Sequence, residues 1–82
     1  MNNNNRNTYN TAFLEAFGLE PETDVTQLEY ESISEWDSIG HMGLMAELED
    51  KFQISLEADD IVGFGSYTLG VEILKKYDIN IE

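Results

Sequence analysis

No cysteine occurs anywhere in this 82-residue chain, so neither a disulfide nor a thiolate metal site can hold it together. A domain this small buries only about 60% of its unfolded surface. Its fold must therefore rest on a few well-placed apolar stripes, and the sequence supplies them at helical spacing. Tyr9, Ala12, Phe13, Ala16 and Phe17 recur at i, i+3, i+4, i+7 and i+8 and predict a first helix. Asn7 or Thr8 is its expected cap, and Gly18 its expected end. Residues 1–7, mostly Asn, read as a disordered tail, and 8–82 as the single domain.

A stretch of some twenty residues, 18–37, follows with one Pro, many acids and spaced apolar anchors at Leu19, Val25, Leu28, Tyr30, Ile33 and Trp36. Connections this long are uncommon in compact domains. The anchors imply that the segment lies packed across the helices. A second helix is predicted from Ser38 to about Phe52, with Asp37 or Ser38 as N-cap and the Asp37 charge at the positive end of the dipole. Gly40 and Gly43 weaken it by roughly 1 kcal/mol each relative to Ala, which suits a close approach there. Residues 52–66 form a connector in which ADDIV makes one or two helical turns; a short strand through Ile54 and Leu56 competes with it. Ser66 caps a last helix reaching about Tyr77, with Lys75 and Lys76 at its negative end. The expected fold is all-α: three main helices and one short one in a small bundle.

The second helix carries two apolar faces. Leu44, Met45, Leu48 and Phe52, with His41 among them, form one stripe and read as core. Ile39, Met42 and Ala46 form a second, smaller patch, with Glu47, Glu49 and Asp50 around it. A bundle helix needs only one apolar stripe. The second, rimmed by carboxylates, reads as a docking surface unless the 18–37 segment covers it.

Charge narrows the function classes. Seventeen acids against four bases give a formal net charge of −13. That argues against nucleic acid, whose phosphates call for Lys and Arg, and for partners with a basic face. No run of about 18 apolar residues exists to cross a membrane, and the start lacks the apolar core of a secretory signal. A cytoplasmic, monomeric chain with no membrane insertion is expected. No D-x-[DN]-x-[DN]-G loop accompanies the acid pairs, so no metal site is assigned. Ser38 and His41, three residues apart, are the one nucleophile–base pair available. No G-x-S-x-G elbow surrounds them and no orienting acid is evident, so catalysis is not expected. On its position alone Ser38 reads first as a helix cap; it is also a candidate for modification, since a phosphodiester there would meet the helix dipole and free backbone N–H groups.

Asp37-Ser38-Ile39, followed by Leu44, Leu48, Glu49 and Phe52, resembles the Asp-Ser-Leu motif and second helix of acyl carrier proteins. The Phe52-x-Ile54 end of that helix, the ADDI turn and the Ser66 helix start extend the likeness over residues 8–77. The resemblance implies a four-helix carrier of that type, without catalysis of its own. Ser38 would be the attachment point of 4′-phosphopantetheine, with Asp37 beside it in the cofactor motif. A separate phosphopantetheinyl transferase would supply the arm from coenzyme A, and its thiol would carry acyl or aminoacyl groups as thioesters. Ile39, Met42, Ala46, Glu47, Glu49 and Asp50 would face partner enzymes with basic docking faces. Trp36, Ile39, His41 and Gly43 depart from the fatty-acid carriers. W-D-S-x-x-H resembles stand-alone carriers of specialised bacterial pathways. Two alternatives stay open: a peptidyl or D-alanyl carrier, and an acidic helical interaction adaptor without cofactor.

Overall fold

The computed structural model describes residues 4–81. Four helices follow one another: α1 (Asn4–Phe17), α2 (Ser38–Phe52), α3 (Ala58–Gly63) and α4 (Tyr67–Lys75). The protein is a small all-α bundle, and α1 packs directly against α2. Among the described residues the only sheet-like pairing is one isolated bridge between Glu29 and Ser66. The strand considered for Ile54 and Leu56 does not form; that segment is an irregular connector.

The α1 stripe is buried as its spacing requires. Tyr9, Ala12, Phe13 and Phe17 all lie in the core, joined by Leu44, Met45 and Leu48 of α2 and Leu74 of α4. The Tyr9 hydroxyl donates to the carbonyl of Tyr67 (2.6 Å), tying α1 to the first turn of α4. Burial pushes the Tyr9 phenol well above its ordinary range, so it stays a neutral donor. Gly18 sits at φ +64°, the left-handed conformation that closes a helix end.

Helix α1 differs from expectation at its start. It begins at Asn4, so neither Asn7 nor Thr8 is its cap, and residues 4–7 of the expected disordered tail are helical. Residues 1–3 of that tail lie outside the described residues. The extra turn is supported from outside the helix: the Asn5 amide donates to the carbonyl of Asn80 (3.2 Å). Ile79 and Ile81 bury their side chains in the core just beyond α4. At the other end, α4 stops at Lys75, two residues short of the expected Tyr77.

The 18–37 segment packs across the helices as anticipated. Val25, Leu28 and Trp36 are its buried anchors. Its middle is pinned to the start of α4: Tyr30 N–H donates to Gly65 O (3.0 Å) and Tyr67 N–H to Leu28 O (3.0 Å). Trp36 is completely buried, with ring centroids 5.6 Å from Phe13 and 5.3 Å from Phe17. Tyr30 is the exception among the expected anchors, since 41% of its surface is exposed.

Candidate functional site

The site begins with the turn into α2. Asp37 is extended (φ −101°, ψ −167°), and its carboxylate accepts from the Gly40 backbone N–H at 2.8 Å. Its own carbonyl takes the His41 N–H at 2.7 Å. The N-cap is thus Asp37, which frees Ser38 from that task. Ser38 is the first helical residue and is exposed, and its hydroxyl has no hydrogen-bond partner among the described residues. Gly40 is needed for this turn. A Cβ there would collide with the Glu35 carbonyl, which crosses directly over the helix start. At Gly43 an added Cβ meets nothing within 4 Å, so no such crossing explains that glycine.

His41 joins three parts of the molecule. The indole Nε1–H of Trp36 donates to His41 Nδ1 at 2.9 Å, and His41 Nε2 lies 2.7 Å from the Ile61 carbonyl. An indole N–H can only donate and a carbonyl can only accept. These partners therefore fix a neutral imidazole protonated at Nε2. The ring lies nearly parallel to Trp36 and edge-on to Tyr30 and Phe64. Both nitrogens are occupied, so His41 has no lone pair to offer Ser38 as a general base. In place of a nucleophile–base pair, Ser38 and His41 border a common cleft.

That cleft has a volume of about 370 Å³ and opens between α2 and α3. Ser38, His41 and Met42 line it from α2, and Ile61 and Val62 from α3. Tyr30, Phe64 and Gly65 close it from the connecting segments. No charged side chain is among them. Sequence reading missed Tyr30, Val62, Phe64 and Gly65 as site residues. The signal for Val62 was present: two adjacent apolar residues on a six-residue helix cannot both face inward, and Val62 is 85% exposed.

The second apolar face of α2 is not covered. Ile39 is 82% and Met42 54% exposed, and Ala46 is exposed beside them. The expected carboxylate rim is only partly free. Asp50 is exposed, while Glu47 reaches toward Lys51 at 3.7 Å. Glu49 turns toward the protein and accepts the Leu56 N–H at 2.9 Å, holding the connector against the end of α2. Below the cleft, Asp60 fixes α3 to the chain beyond α4. It accepts from Lys76 (2.5 Å) and from the Tyr77 hydroxyl (2.6 Å). The Lys76 bond, then the Tyr77 bond, hold its carboxyl below the ordinary Asp range.

Among the described residues, no helix is long and apolar enough to cross a membrane, and no group of three or more His, Asp or Glu is placed to hold a metal ion. Comparison of the chain with protein-family models, with curated proteins and with solved structures gave no match. The functional reading therefore stands on the Ser38 site and its surroundings alone.

Proposed function

We propose that this protein is a carrier of the acyl-carrier-protein type, with Ser38 as the attachment point of a 4′-phosphopantetheine arm. The carrying observation is the Ser38 hydroxyl itself: exposed, released from capping by Asp37, and set on the rim of an uncharged cleft. Its surroundings fit such a group. The first-turn N–H groups of α2 and the positive end of its dipole favour a phosphodiester, and the apolar cleft offers the rest of the arm a place to lie. The arm would supply a thiol that holds an acyl or aminoacyl group as a thioester. Ser38 supplies the oxygen, Asp37 fixes the turn that presents it, and Gly40 lets the Glu35 carbonyl pass. Exposed Ile39, Met42 and Ala46, with Glu47 and Asp50 nearby, form the face for the transferase and for acyl-processing enzymes with basic docking surfaces.

The test is intact-mass spectrometry after incubation with coenzyme A and a broad-specificity phosphopantetheinyl transferase. One phosphopantetheine increment, absent in Ser38→Ala, is expected. A folded protein that takes up no increment from an active transferase refutes the proposal. The uncovered Ile39–Met42 face also suits an adaptor without cofactor. That reading gains if Ser38→Ala leaves cellular function intact while Met42→Glu abolishes it.

A further inference from the structure

On the carrier reading, a tethered acyl group has two places to go: the surface cleft beside Ser38, or the interior between the helices. The structure distinguishes them through His41. Its Nε2–H bond to the Ile61 carbonyl ties α2 to α3 at the inner side of the cleft, and the Trp36 indole backs the ring from behind. Phe64, completely buried, completes that wall. Beyond it lies the core. Leu44, Leu48, Phe13 and Leu74 are fully buried, and α4 presses so closely on the Phe64 ring and the Tyr9 hydroxyl that only Gly70 fits between them. An entering chain would have to break a paired polar bridge and leave a buried indole N–H without an acceptor, which is disfavoured in a protein interior.

We infer that the group carried from Ser38 is a short, uncharged acyl chain held in the surface cleft, and that the Trp36–His41–Ile61 bridge bars longer chains from the bundle interior. The cleft supports the chemical class. Its apolar walls from Met42, Ile61, Val62 and Tyr30 carry no charge and suit neither a carboxylate nor an ammonium. Its volume, about 370 Å³, lies near the lower end of the roughly 300–1,000 Å³ typical of ligand clefts. Room is thus limited for an arm terminus and a long chain together. His41 acts as a specificity-determining residue through its two hydrogen bonds.

The experiment loads Ser38 with acyl-pantetheine groups from acetyl to tetradecanoyl, using a promiscuous transferase and the matching acyl-coenzyme A. Intact mass confirms each load. Methyl and amide NMR spectra and melting temperatures are then compared along the series. Short acyl loads are expected to shift Met42, Val62 and Gly65. Lengthening the chain is expected to leave the Leu44, Leu48 and Leu74 methyls and the melting temperature unchanged. In His41→Ala, long chains should begin to shift those interior methyls, whereas in His41→Gln, whose amide can renew the bond to Ile61, they should not. Interior shifts that grow with chain length in the unaltered protein overturn the inference while leaving the carrier reading in place; this arm needs no variant to fold. Failure of any group to load overturns both.

Discussion

Two glycines one helical turn apart should respond in opposite directions to the same substitution. At Gly43 an alanine Cβ enters open space, so Gly43→Ala gains the helix-propensity difference of about 1 kcal/mol. At Gly40 the same methyl lands on the Glu35 carbonyl, a backbone atom with no rotamer to escape into. The propensity gain of about 1 kcal/mol is set against an overpacking cost of about 1–3 kcal/mol. Moving Glu35 also disturbs Asp37 two residues on, and a lost N-cap costs about a further 1 kcal/mol. The net is a destabilisation of about 1–3 kcal/mol, leaving the two variants about 2–4 kcal/mol apart. In a domain of this size 1 kcal/mol moves the melting temperature by roughly 4–8 °C, so the pair should separate by at least about 8 °C. Thermal melts followed by far-UV circular dichroism read this directly, and fluorescence of Trp36, the single tryptophan, reports whether the crossing segment has moved. Equal melting temperatures, or a Gly40→Ala variant more stable than the parent, would refute the close crossing and with it the account of how Ser38 is presented.

Other consequences follow from individual contacts. Trp36→Phe keeps an aromatic ring among Phe13 and Phe17 but leaves His41 Nδ1 without its donor; a loss of about 1–3 kcal/mol in urea denaturation is expected, and a neutral result would contradict the bridge. Glu49→Ala removes the acceptor for Leu56 N–H and should cost about 1–2 kcal/mol, while Asp50→Ala, exposed, should stay within about 0.5 kcal/mol of the parent. Similar losses for the two would mean that Glu49 is an ordinary surface acid. The Asp60 clasp sets a pH dependence. Its carboxyl is held below the ordinary Asp value of about 4, so its contribution is present above that pH and fades as pH falls through the lower folded-state value. Lys76 is shifted upward, chiefly by its bond to Asp60, so its share persists into the alkaline range and is lost only as the amine deprotonates. The melting-temperature gap between the parent and Asp60→Asn should therefore narrow below about pH 4 and stay open near neutrality. A gap that does not change with pH would contradict the ionic clasp.

What could be read from the sequence divides along the range of the interactions involved. The span of α2, its inward Leu44, Met45 and Leu48, its second apolar patch at Ile39 and Met42, and the Ser66 cap of α4 all follow from local periodicity and capping, whereas the exposure of that patch depended on the path of the 18–37 segment. The start of α1 did not, because asparagine is a poor helix former and the extra turn leans on Asn80, seventy-five residues away. The role of His41 was likewise hidden. Its place on the core stripe was evident, but its acceptor is a backbone carbonyl twenty residues on, and carbonyls leave no mark in a sequence. Glu49 and Asp50 flank the same apolar patch in the sequence, and only the path of the connector turns Glu49 inward. Tyr30 read as one more apolar anchor, yet its backbone pairing with Gly65 directs the ring to the cleft rim. The cleft was therefore half legible: its α2 wall lay in the sequence, while its other walls depended on how the long first connection and α3 come together.

The most direct measurement is the state of Ser38 in protein purified from the cells that make it naturally. Trypsin cuts after Arg6 and Lys51 and releases residues 7–51 as one peptide, with Ser32, Ser34 and Ser38 on it. Fragmentation distinguishes the three serines. A phosphopantetheine group is expected on Ser38 and on no other residue of that peptide. A bare Ser38 throughout the population, in cells shown to modify another carrier, would contradict it.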